Sequence, residues 1–137
     1  MIHLVTGGSG SGKSAYAEQC ILDFGGTRRV YIATMQPFGA EGQARIARHR
    51  KMRAAKKFST IECYTNLKEV ELEPGSDVLL ECMSNLTANE IFDPSGAGKA
   101  RTEEEILAGV SRLANQARNL VLVTNEIFSD GYRYEEE

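Results

Sequence analysis

Apolar residues in this chain fall into short runs separated by longer stretches of mixed character. Ile2-His3-Leu4-Val5, residues 29–34, residues 58–64, Val78-Leu79-Leu80 and Leu120-Val121-Leu122-Val123 have the length and β-branched content of strands. Between them, residues 15–24, 39–57, 85–92 and 102 to about 118 read as helices, the last on Ile106, Leu107, Val110 and Leu113. Gly25-Gly26 stops the first helix, Pro74-Gly75 marks a turn, and residues 93–98 form a Pro- and Gly-rich loop. Thr102-Glu103-Glu104-Glu105 has the pattern of a capping box at a helix start. Residues 66–72 fit neither period. The alternation predicts an α/β fold: a three-layer, doubly wound, mainly parallel sheet.

The chain of 137 residues is expected to form one domain around one core. A formal net charge of −3 and ordinary charged and apolar fractions give no reason to expect nucleic acid as a partner. No apolar run approaches the ~20 residues that span a bilayer. The first strand begins beside Met1, leaving no room for a leader peptide, so a cytoplasmic protein is expected. Cys20, Cys63 and Cys82 are odd in number and lack metal-ligand spacing, as fits reduced thiols. Residues 132–137 read as the start of a helix with no stop signal, so a further helix and edge strand are expected beyond residue 137.

The loop after the first strand carries the strongest chemistry. Gly7-Gly8-Ser9-Gly10-Ser11-Gly12-Lys13-Ser14 fits G-x-x-x-x-G-K-[ST] at every position, with a strand before it and a helix after it. The glycines let successive backbone N–H groups face one anion, and the helix N-terminus adds a favourable dipole. Lys13 reaches the β- and γ-phosphates of a nucleoside triphosphate, and the Ser14 hydroxyl holds Mg²⁺. A flexible Gly/Ser turn would explain the glycines but not Lys13-Ser14. Gly10 to Ala15 also fits the looser dinucleotide pattern G-x-G-x-x-A, yet the second strand ends in Thr34-Met35-Gln36 without the acidic residue that a ribose would need.

Glu81 closes the apolar run Val78-Leu79-Leu80, the position of the acidic residue that helps hold Mg²⁺ in phosphate-loop enzymes, directly or through water. Glu126 follows the fifth strand in the same way. From Gly42 to Ile61 there are seven Lys or Arg residues and no Asp or Glu. Arg45, His49 and Arg53 repeat at i, i+4 and i+8 and so share a helical face. A neutral imidazole there can attack phosphorus while its neighbours bind phosphate oxygens. From composition alone a solvated basic helix with an incidental histidine is the favoured reading, and an RNA-binding helix lacks interleaved aromatics.

Several motifs occur together in order: Val5-Thr6-Gly7-Gly8, the phosphate loop, Tyr31-Ile32-Ala33-Thr34, Arg45-Ile46-x-x-His49-Arg50, Thr60-x-Glu62, Leu79-Leu80-Glu81-Cys82 and Val123-Thr124-Asn125-Glu126. In this the chain resembles the bifunctional adenosylcobinamide kinase / adenosylcobinamide-phosphate guanylyltransferase family of cobalamin biosynthesis. The resemblance spans essentially the whole chain. It implies a phosphate-loop NTPase-like fold with Gly7 to Ser14 on the triphosphate, Mg²⁺ as cofactor, GTP and ATP as substrates, and His49 as the residue that takes GMP covalently. Thr34, Met35, Arg50 and Arg53 would line the nucleotide site, with Glu62 and Glu81 at its acidic positions. The family phosphorylates the hydroxyl of the aminopropanol arm of adenosylcobinamide, then joins GMP to that phosphate. It also implies a homo-oligomer, a trimer. Here Gly10 stands where a familiar form of the loop has Arg, and the family continues past residue 137 into a helix and a final strand. A single-function small-molecule kinase and a nucleotide-dependent binding module remain open from the residues alone.

Overall fold

A computed structural model describes residues 1–7, 12–36 and 39–125, with the side chains of Glu41, Arg45 and Asn125 outside that description. The expectations for Gly8, Ser9, Gly10, Ser11, Glu126 and residues 132–137 lie outside the described residues. The elements run β1 (Ile2–Gly7), α1 (Lys13–Asp23), β2 (Arg28–Ala33), α2 (Gly39–Ala55), β3 (Phe58–Glu62), a 3₁₀ turn (Leu67–Glu69), β4 (Ser76–Glu81), α3 (Met83–Phe92), α4 (Thr102–Gln116) and β5 (Asn119–Asn125). The ambiguous stretch after β3 thus holds one short helical turn. Among the described residues the five strands form one sheet in the order β1-β5-β4-β2-β3, and each pairing is parallel.

The parity of β4 explains the layers. Successive strand residues point to opposite faces. Val78 and Leu80 pack with Ile32, Leu67, Leu86, Ile106, Leu113, Leu120 and Leu122 beneath α3 and α4. Leu79 packs on the other face with Ala17, Ile21, Tyr31, Phe58, Val121 and Val123 beneath α1. Both faces of β4 are covered, so its residues from Ser76 to Leu80 are all buried, as a continuous apolar run predicts. This is the three-layer, doubly wound arrangement. Parallel pairing places the C-terminal ends of β1, β2, β4 and β5 on one edge of the sheet, where α/β proteins bind ligands.

One local expectation fails. Thr102 does not cap α4. The N-cap is Arg101, without a side-chain cap bond, and the Thr102 hydroxyl donates instead to the Gly98 carbonyl at 2.8 Å. Glu105 does not reach back to the cap either; its carboxylate binds Lys68 at 2.8 Å and Arg101 at 2.9 Å. Those two cations win because a charge-assisted contact outweighs a neutral backbone N–H. The Lys68 hydrogen bond is the chief reason the Glu105 carboxyl sits below its ordinary range.

At the N-terminal edge, the Asp77 carboxylate is fully buried. It accepts from Arg118 Nε at 3.1 Å and Nη2 at 2.8 Å, and from Asn119 Nδ2 at 3.0 Å. The pair ties β4 to the start of β5, and the Asp77 carboxylate raises the Arg118 guanidinium above its usual value. Among the described residues all three cysteines are free, and no helix is long and apolar enough to cross a membrane.

Candidate active site

The C-terminal sheet edge opens into a cavity of about 430 Å³. Lys13 and Ser14 line it from the start of α1, Thr34 and Met35 from the end of β2, His49 and Arg53 from α2, Glu62 from the end of β3, and Glu81 from the end of β4. Residues far apart in sequence therefore meet because three strand ends and two helices converge. Lys13 also lines a second, more open hollow with Gly7, Gly12 and Tyr16, and so stands between the two.

The local geometry at the loop's exit follows from Gly12. It caps α1 with φ of +84°, a left-handed conformation that L side chains rarely adopt. The chain can then turn directly into the helix, and Lys13 and Ser14 become its first two residues. No acidic residue occupies the first turn of α1, so nothing there opposes an anion.

Glu81 is held by two donors. The Ser14 hydroxyl bonds its Oε2, and the Tyr31 hydroxyl donates to its Oε1 at 3.1 Å. Burial first, and the Glu81 charge second, push the Tyr31 phenol well above its ordinary value, so it stays a donor. The backbone after Glu81 is fixed by Thr34. Its hydroxyl accepts from the Cys82 N–H at 2.9 Å and lies 3.1 Å and 3.0 Å from the Glu81 and Cys82 carbonyls. Asn89 of α3 in turn donates to the Thr34 carbonyl at 2.8 Å. Thr34 thus touches the cavity while its hydroxyl serves the neighbouring strand end.

The basic face of α2 divides. His49 is exposed and lines the cavity beside Ile46 and Met52. Arg53 is only 6% exposed, its guanidinium 3.6 Å above the Tyr31 ring centre. Its Nε finds no hydrogen-bond partner among the described residues. Arg50 is not among the lining residues; it ion-pairs with Glu62, which is. Lys56 bonds Glu18 at 2.7 Å and bridges the end of α2 to α1. His3, the other histidine, is remote from this edge in the sheet, its ring 5.3 Å from that of Phe24.

Sequence reasoning missed Tyr31, Glu18, Lys56 and Asn85 as lining residues. For Tyr31 a signal existed: an aromatic with a polar tip lies two residues before the end of a strand, among aliphatic Val30, Ile32 and Ala33. In register, Tyr31 pairs with Leu79 and Ala33 with Glu81, which puts the phenol on the face that Glu81 shares.

Oxygen donors of Ser14 and Glu81 meeting beside a lysine suit a hard cation that keeps phosphate and water ligands. No group of three or more His, Cys, Asp or Glu able to hold a metal by themselves occurs among the described residues.

Two relatives named bifunctional adenosylcobalamin biosynthesis protein CobU, from Escherichia coli (strain K12) and Salmonella typhimurium (strain LT2), are each 35% identical over 140 residues. In both cases the match covers 93% of this chain and 76% of the relative. The family described as CobU, cobinamide kinase / cobinamide phosphate guanyltransferase, matches residues 3–135. With nearly all of its length matched, the chain belongs to the CobU family.

Proposed function

We propose that this protein phosphorylates adenosylcobinamide and then transfers GMP from GTP to the product through a covalent guanylyl-His49. Supporting this is one observation above all: Lys13, Ser14 and Glu81 share a cavity with His49 and Arg53. In the first reaction the substrate hydroxyl oxygen attacks the γ-phosphorus, the bond to the β-phosphate bridging oxygen breaks, and the hydroxyl proton is lost to solvent. Lys13 neutralises phosphate charge and the N–H groups opening α1 orient the chain of phosphates. Ser14 and Glu81 would hold Mg²⁺, which would supply neutralisation of phosphate charge.

In the second reaction an imidazole nitrogen of His49 attacks the α-phosphorus of GTP and pyrophosphate leaves. The phosphate of adenosylcobinamide phosphate then attacks the same phosphorus, the P–N bond breaks, and His49 is regenerated. Splitting one displacement into two keeps each step between well-placed partners. Arg53 lines the cavity, and its positive charge would favour the leaving pyrophosphate. Glu62 and Met35 flank the nucleotide, and Arg50 acts through its pair with Glu62. A cytoplasmic homotrimer of single nucleotide-binding domains is part of the same proposal.

The test is incubation with α-labelled GTP and Mg²⁺, followed by alkaline digestion and mass mapping. The expected result is an acid-labile, alkali-stable GMP adduct on His49 that is absent in His49→Asn, with kinase turnover retained in the variant. Turnover on cobinamide without an adduct would indicate a plain kinase. Nucleotide binding without either reaction would indicate a binding module.

A further inference from the structure

We infer that Tyr31 is a positioning residue that serves both halves of the site, its hydroxyl orienting the Glu81 carboxylate and its ring carrying the Arg53 guanidinium. This rests on the proposed roles of Glu81 toward Mg²⁺ and of α2 toward GMP transfer.

The hydroxyl and Ser14 each engage a different oxygen of Glu81. A carboxylate gripped at both oxygens cannot rotate about its terminal bond, yet each oxygen keeps a further lone pair for a cation. Residues that hold a metal-binding group by its outer hydrogen bonds set both its direction and its affinity. The other contact uses the opposite property of the same side chain. The Arg53 guanidinium lies 3.6 Å from the ring centre, within cation–π range, and is 6% exposed. With Nε unpartnered among the described residues, the ring fixes where that charge sits. Tyr31 is itself 8% exposed and is anchored in the sheet by its pairing opposite Leu79, so it is a rigid support.

The experiment uses the full chain with Tyr31→Phe and Tyr31→Met. Calorimetry gives the Mg²⁺ dependence of GTP affinity, and mass spectrometry gives the rate of GMP adduct formation at saturating Mg²⁺. Tyr31→Phe should raise the Mg²⁺ midpoint about tenfold and leave the adduct rate and Tm near wild type, because the ring remains. Tyr31→Met should show the same metal shift and slow adduct formation on the order of tenfold. Tyr31→Phe carries the decision, since it removes a single oxygen. Glu81→Gln is the reference. If Glu81→Gln moves the Mg²⁺ midpoint and Tyr31→Phe does not, the positioning role is overturned while the metal role of Glu81 stands. If neither moves it, both fall together. Equal adduct rates in Tyr31→Met and wild type would overturn the ring's role.

Discussion

The hydroxyl of Ser14, one residue inside α1, bonds the carboxylate of Glu81 at the end of β4, across 67 positions of sequence. A nucleophile or leaving group needs no direct contact with either residue for this pair to matter. It presents two oxygen donors of different charge at one point. Replacing Glu81 by Gln keeps the shape and removes the charge. The expected outcome is a Mg²⁺ midpoint raised by about a hundredfold with a Tm close to wild type, measured by calorimetry and thermal melts. A large loss of Tm with unaltered metal dependence would make Glu81 a packing residue.

Lys13→Ala should weaken GTP and ATP binding by about a hundredfold, which is roughly 2.7 kcal/mol, and leave the fold intact. The lysine stands at the helix start between two hollows, in a first turn that contains no acidic residue. Calorimetry with both nucleotides checks it. Unchanged affinity would remove the phosphate-loop assignment.

Gly109→Ala poses a contest between two effects. Alanine inside α4 would gain about 0.5–1 kcal/mol of helix propensity. Its Cβ, however, would lie 2.7 Å from the Leu67 Cβ and 3.0 Å from its Cγ. Leu67 is 2% exposed and cannot withdraw, so overpacking costing about 1–3 kcal/mol wins. Melts should show a lower Tm for Gly109→Ala, and Leu67→Ala in the same background should not restore it, because the 2.7 Å contact is with the Leu67 Cβ that alanine keeps. A raised Tm in the single variant would show that the 3₁₀ turn yields.

The loop after α3 gives a pH signature. The Ser95 N–H first, then the Gln36 amide and the Ser95 hydroxyl, hold the Asp93 carboxyl below its ordinary value. A depressed carboxyl contributes stability that is full above the unfolded value, about 4, and that is lost as pH falls through the lower folded value. Wild type and Asp93→Asn should therefore differ by a constant Tm offset from pH 7 to about 5 and converge below about 4. An offset unchanged at pH 3 would mean that the neutral amide and the carboxylate differ for another reason.

Much of the fold was legible because buried parallel strands are continuous apolar runs. Val78 to Leu80 and Leu120 to Val123 announce themselves, and both faces of each are covered. The loop motif and the strand-end position also identify Lys13, Ser14 and Glu81 as candidates. What stayed hidden depends on partners distant in sequence. Nothing near Thr102 reveals that Lys68, on another element, will hold the Glu105 carboxylate that a capping box needs. Nothing near Arg50 reveals that Glu62, on another element, will draw it from the cavity rim. Arg53 shares a helical face with His49 in the sequence, but only the packing of α2 on the sheet shows that Tyr31 lies beneath it.

The buried Asp77 anchor has a mechanical consequence. Asp77 and Glu81 sit four residues apart on one strand, about 13 Å at ordinary strand rise. Arg118 and Asn119 clamp the first of them from the start of β5. A slip of β4 by even one residue would unseat that carboxylate and also turn Glu81 to the opposite layer. The clamp therefore works as the zero mark of a ruler: the N-terminal end of the sheet dictates the height at which the cavity edge offers Glu81. Damage at Arg118 should surface as misalignment of the site before it surfaces as unfolding.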